Sequence, residues 1–119
     1  MTTQKTLVVD LDDTICIPNH NEKDTYKKYG LAQPIPEMIE ALKKAKKLNY
    51  KIVISTARRM LTHHGDINKV INDVGEITTT WLKEFEVPYD EILYGKPYGV
   101  YYIDDKAMLP YSFIELMKD

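Results

Sequence analysis

Four short polar clusters hold the residues able to do chemistry: Asp10-Leu11-Asp12-Asp13-Thr14, Ser55-Thr56-Ala57-Arg58, Lys96-Pro97 and Asp104-Asp105-Lys106. Carboxylates gathered in one place raise one another's pKa, so a stable arrangement needs cations among them. Magnesium suits them. It takes oxygen ligands, keeps part of its water shell, and binds through a few carboxylates plus a substrate phosphate oxygen. No Cys/His spacing for zinc is present. The Thr56 hydroxyl and the Lys96 ammonium would offer a hydrogen bond and a positive charge to phosphate oxygens during phosphoryl transfer. A phosphate ester is therefore the expected substrate. Asp10 is placed to act as nucleophile, forming an aspartyl phosphate that water then hydrolyses. Asp12, two residues on, would protonate the leaving oxygen and later take a proton from that water. Its side chain would then stay off the metal, and its backbone carbonyl could ligate instead.

These clusters need elements that bring them together. Residues 6–9 form a short β-branched and apolar run that stops at Asp10, the pattern of a buried parallel strand opening into a site. Residues 50–54 repeat it ahead of Ser55, and residues 91–94 and 100–103 read as two further short strands. Between them, Met38, Ile39, Leu42, Ala45 and Leu48 keep helical spacing from Pro36 onward. Residues 60–74 read as a loop leading into irregular helix. Ile77, Trp81, Leu82 and Phe85 then share one side of a helix ending before Pro88, and Phe113, Ile114 and Leu116 lie in a closing helix. Strands alternating with helices predict an α/β protein with an open, mostly parallel sheet, helices on its faces, and a ligand site beyond the carboxyl ends of the strands. The polar stretch 16–35, closed by Pro34-Ile35-Pro36, reads as a loop or small flap.

The D-x-D-x-T at residues 10–14, the hydroxyl residue after a second strand, Lys96 and the paired Asp104 and Asp105 resemble, in order, the four motifs of the haloacid dehalogenase superfamily. The resemblance covers nearly the whole chain. It implies a three-layer Rossmann-like fold and assigns Asp10 as nucleophile and metal ligand. Asp12 becomes the acid/base that binds metal through its carbonyl, and Asp104 completes a magnesium site. Thr56 and Lys96 would bind the transferring phosphoryl group, with Ser55 the competing assignment, and Asp105 is left as a direct or water-mediated ligand. Residues 54–58, 95–97 and 102–107 further resemble a small subgroup of capsule or polysaccharide biosynthesis phosphatases, which implies a sugar phosphate substrate. Both intervals that carry caps in this superfamily are short here. The resemblance thus implies one catalytic domain over 1–119 without a large cap, and a homo-oligomer of unspecified order.

Other readings compete at single residues. Asp13 and Thr14 can simply stabilise their loop, Cys16 and Trp81 fit plain core packing, and His63 and His64 fit a solvated loop. Arg58 and Arg59 suit a substrate anion or ordinary ion pairs equally well, and stand outside the catalytic set. A phosphoacceptor receiver domain also combines carboxylates, magnesium, a hydroxyl and Lys-Pro. Its paired acidic residues follow the first strand, however, whereas Asp104 and Asp105 come after Lys96. A phosphotransferase on the same fold would need water excluded and a second acceptor bound.

The whole chain narrows the field. Its 119 residues suffice for one compact domain, and 29% charged with 44% hydrophobic residues is ordinary for a water-soluble protein. A net charge of -2 gives no general attraction for nucleic acid or an anionic membrane. With Cys16 the single cysteine and no secretory signal in residues 1–5, a reducing cytoplasm is expected.

Overall fold

Three of the four expected strand runs become the sheet, and helices and turns surround it. The computed structural model describes residues 3–118; Met1 and Thr2, part of the start read as lacking a secretory signal, and Asp119 lie outside the described residues. The chain runs through β1 (Thr6–Val9), β2 (Cys16–Ile17), a π-helical turn (Tyr26–Gly30), β3 (Gln33–Pro34), α1 (Pro36–Lys47), β4 (Lys51–Thr56), α2 (Ile67–Glu84), β5 (Glu91–Tyr94) and α3 (Pro110–Met117).

Strands β1, β4 and β5 form a parallel sheet in the order β1-β4-β5. Its register sets Leu7 beside Ile52, Val9 beside Ile54, and Ile54 beside Ile92. Side chains alternate along a strand, so these residues share one face, and there they join Met38, Ile39, Leu42 and Ala45 of α1 with Trp81 and Leu82 of α2 in the main core. The fold is thus α/β with a parallel sheet and no large cap. The opposite face carries Val8 and Leu93, both exposed, with Val53 beside Val8 and Ser55 beside Leu93.

Helix α1 starts with Pro36 in its first turn and ends on Lys44, Lys46 and Lys47, which suit the negative end of its dipole. Helix α2 differs from expectation. Residues 67–74 continue one helix with 77–84, because the Asp66 side chain caps the start by accepting from the Lys69 N–H. Val70, Val74, Thr78, Trp81 and Leu82 then form one buried stripe at helical spacing. Asn68, Asn72, Thr79 and Thr80 are exposed and stand off it. Trp81 is core, donating from Nε1 to the Ala32 carbonyl at 2.9 Å.

The stretch 16–35 is a small flap: β2 and β3 pair antiparallel, the Ile35 N–H donates to the Ile15 carbonyl at 2.9 Å, and Tyr29 of the π-helical turn is buried. Residues 100–103, expected as a strand, are not one. Lys96 is tied by its N–H to the Thr56 carbonyl, only a short connection follows, and Val100 and Ile103 stand 86% and 96% exposed. Their apolar character signalled a strand, but they meet no strand here.

Asp90 joins three elements, its Oδ2 accepting from the Ile52 N–H at 2.7 Å and from Lys46 Nζ at 2.6 Å. The Ile52 bond, then the Lys46 contact, holds its carboxyl below the ordinary 3.8. The folded state therefore binds fewer protons than the unfolded one just below pH 3.8, and this contribution is present above that pH and lost as pH falls through the folded value. Asp90→Asn is expected to flatten that acid limb in urea titrations taken at successive pH values. In the core, Leu42→Ala is expected to cost about 2–5 kcal/mol in the same assay, since Leu42 is fully buried between α1 and the sheet.

Candidate active site

The loop after β1 is wound around one carbonyl: the N–H groups of Thr14, Ile15 and Cys16 all donate to Leu11 O, at 3.2, 2.8 and 3.3 Å. Asp13 takes a left-handed φ of 64° to close this turn, a conformation that Asp tolerates better than most residues. Leu11 and Ile15 anchor the loop in the core, which turns Asp10 and Asp12 toward a cleft of about 400 Å³ that Thr56, Arg58, Arg59 and Tyr102 also line.

Asp10 is held from two sides. Its Oδ2 accepts from Thr14 Oγ1 at 3.2 Å, and its Oδ1 lies 3.5 Å from Lys96 Nζ. Lys96 reaches it from the end of β5 because Gly95 turns the chain at φ 101° and the Lys96 N–H bonds to the Thr56 carbonyl at 3.1 Å. A side chain at Gly95 would also collide with Ile67, at 2.6 Å from a built Cβ. Lys96 Nζ further sits over the Tyr102 ring, 4.1 Å from its centroid. Thr56 is buried at the cleft, its Oγ1 accepting the Arg58 N–H at 3.0 Å. Ser55, one residue earlier on the strand, is not among the cleft residues.

Asp12 is paired with Arg58, Nε to Oδ2 at 3.1 Å and Nη2 to Oδ1 at 2.5 Å. Nη1 of the same guanidinium donates to Thr78 Oγ1 at 2.8 Å, and the group lies 4.3 Å from the centroid of the Tyr29 ring. Burial alone would lower the pKa of Arg58, but the bonds it donates to Asp12 and the charge of that carboxylate outweigh it and hold the group firmly cationic. Burial, then Asp12, pushes the Cys16 thiol well above its ordinary range, so Cys16 packs and does not react. Arg59 and His63 both bond Asp73 Oδ2, at 3.0 and 2.9 Å, and Arg59 Nη2 donates to Thr25 of the flap.

Sequence reasoning set Arg58 aside and did not see Tyr29 or Thr78. The signal for Arg58 was its place two residues beyond Thr56; its partners come from β1, the flap and α2 and have no local signature. Asp104 is not brought to the others. It lies on the exposed segment before α3, where the Lys106 N–H donates to its Oδ1 at 2.9 Å and, with Asp105, keeps its carboxyl below the ordinary range. Asp105 is equally exposed, facing Lys106 Nζ at 3.5 Å. Among the described residues no group of three or more His, Cys, Asp or Glu side chains could hold a metal ion. Asp10 and the Asp12 carbonyl fit a hard cation in type, but Asp104, the third donor expected from the motifs, does not join them among the described residues.

A crystal structure of a Vibrio cholerae protein superposes on this chain with a TM-score of 0.83 at 40% identity, covering 96% of this chain and 94% of the other. The chain belongs to that protein's family. Two more distant structures share the fold. One is a chain of a Pnkp1/Rnl/Hen1 complex, with a TM-score of 0.60, 21% identity and 94% of this chain covered. The other is D,D-heptose 1.7-bisphosphate phosphatase from B. bronchiseptica complexed with magnesium and phosphate, with a TM-score of 0.51, 16% identity and 87% of this chain covered. This chain spans 34% and 54% of those two chains. They place the fold among haloacid dehalogenase-like folds. Neither a protein-family model nor a curated protein matches the chain.

Removing Asp12 strands a guanidinium that is 2% exposed, whereas removing Arg58 strands a carboxylate that is 22% exposed. Asp12→Ala is therefore expected to cost about 3–5 kcal/mol of stability. Adding Arg58→Met should recover part of that loss in chemical denaturation, with the double variant well short of additivity.

Proposed function

We propose that this protein is a magnesium-dependent phosphomonoester hydrolase working through an aspartyl phosphate on Asp10. The observation that carries the reading is the Asp10 carboxylate at the cleft, held by Thr14 Oγ1 and Lys96 Nζ at the end of β1. Lys96 contributes positive charge where a phosphoryl group would sit, and the Thr56 hydroxyl hydrogen, left free while its oxygen accepts from Arg58, has a phosphate oxygen as its natural acceptor.

The chemistry then needs one proton moved twice. A carboxylate oxygen of Asp10 attacks phosphorus as the ester oxygen leaves, and Asp12 delivers a proton to that oxygen. Water attacks the aspartyl phosphate, Asp12 takes its proton, and inorganic phosphate leaves with Asp10 regenerated. Arg58 acts as a positioning residue, since its bonds to both Asp12 oxygens fix the carboxylate beside the nucleophile. Magnesium, when bound, would offset the negative charge of phosphate and carboxylates, with Asp10, the Asp12 carbonyl and Asp104 as its donors.

A sugar phosphate is the substrate class we favour, within capsule or other polysaccharide biosynthesis. Support comes from the motif resemblance at 54–58, 95–97 and 102–107, and from a fold shared with a heptose bisphosphate phosphatase. We read the chain as one catalytic domain acting in the cytoplasm; no helix among the described residues is long and apolar enough to cross a membrane.

The test is phosphate release from a panel of sugar phosphates and nucleotides, with magnesium and with chelator. Turnover is expected only with the metal, at background for Asp10→Asn, and reduced about 10²- to 10⁴-fold in a folded Asp12→Asn variant. Turnover unchanged by Asp10→Asn would remove the nucleophile from the account. A long-lived phosphoprotein without turnover would favour a receiver-like role.

A further inference from the structure

Two features of the molecule are unsatisfied together. Among the described residues the β1 edge of the sheet has no neighbouring strand, and residues 100–109 form a segment on which Val100, Tyr101, Ile103 and Leu109 are more than two-thirds exposed. Clustered exposed apolar side chains of this kind mark surfaces that meet a partner. We propose that two copies of this chain exchange these segments, residues 100–103 of each extending the other's sheet along β1 and carrying Asp104 and Asp105 to the partner's Asp10.

The exchange follows from reach. For Asp104 to flank Asp10 on a parallel strand, Val100 must sit beside Thr6. Tyr94 pairs with Thr56, two positions beyond the Ile54 that pairs with Val9, so it stands five positions above Thr6 and two strands away from β1. That separation is about 16 Å along the strands and about 14 Å across them, roughly 22 Å in a line through the sheet itself. The chain from Tyr94 to Val100 spans about 20–22 Å only when fully extended. It is not extended, since Gly95 turns at φ 101° and Lys96 is tied to the Thr56 carbonyl. Antiparallel pairing within one copy would carry Asp104 away from the cleft. A second copy meets neither obstacle.

The faces agree in part. In that register Tyr101 and Ile103 fall level with Leu7 and Val9 on the core face, while Val100 lies beside Thr6 next to Val8 on the other face, so the pairing covers the two most core-directed of the segment's exposed side chains. The exchange also repairs the divided donor set, supplying the third carboxylate that one copy does not bring to Asp10. That consequence rests on the reading of Asp10 as nucleophile; the association itself does not.

Sedimentation of the full chain is expected to give a dimer, and Ile103→Asp a monomer with an unchanged circular dichroism spectrum. In the double variant Thr6→Cys with Val100→Cys, mild oxidation should yield a covalent dimer on a non-reducing gel, beyond anything either single variant forms. A monomeric wild type, a disulfide closed within one chain, thiols that stay unreacted, or a dimer that survives Ile103→Asp would each overturn the exchange. If the protein is a phosphatase, mixing inactive Asp10→Asn and Asp104→Asn copies should restore up to about a quarter of the wild-type rate, because half the pairs are mixed and each mixed pair keeps one intact site. Without phosphatase activity the cross-link alone decides, so the two proposals fail separately.

Discussion

A guanidinium shut away from water must be met by an anion and by hydrogen-bond acceptors, and the surroundings of Arg58 are arranged to meet that demand. It leaves the end of β4, yet its partners come from everywhere else: Asp12 from the loop after β1, Thr78 from α2 and the Tyr29 ring from the flap. Three segments far apart in sequence are thereby fixed around one group. The acidic loop, tightly wound on the Leu11 carbonyl, owes its position as much to this charge as to the core residues beneath it.

That arrangement separates the two carboxylates by partner, in the way the proposed nucleophile and proton carrier would require. Asp12 faces a buried, permanently charged partner, while Asp10, two residues earlier, faces the more accessible Lys96 and a single hydroxyl. The left-handed turn at Asp13 and the winding of the loop on the Leu11 carbonyl make the difference within one short peptide. A nucleophile needs an open approach, and a proton carrier needs a fixed position beside it. The parallel sheet provides both at one end because β1, β4 and β5 all stop there.

Much of this was legible in the sequence. The runs 6–9 and 91–94, the helix from Pro36 and the polar clusters after the strands follow from local pattern, and the structure sets Asp10, Asp12 and Thr56 along one cleft with Lys96 touching Asp10. What local pattern could not yield was partnership. Arg58 looked like one half of an ordinary ion pair, and its burial depends on three distant segments. The first half of α2 read as a loop leading into irregular helix because its polar residues were weighed without knowing which face would be buried. Residues 100–103 carry the composition of a strand but, within one copy, no neighbouring strand to pair with. Strand composition records that a segment will be buried, not which chain buries it.

The central claim is that Asp10 accepts a phosphoryl group with magnesium beside it. Beryllofluoride mimics that group without requiring the substrate to be known, so fluorine NMR of the protein titrated with beryllofluoride and magnesium tests the claim most directly. The account predicts bound fluorine resonances that vanish on chelation and are absent in a folded Asp10→Asn variant. Bound resonances that persist in Asp10→Asn, or none in the wild type with magnesium present, would contradict it.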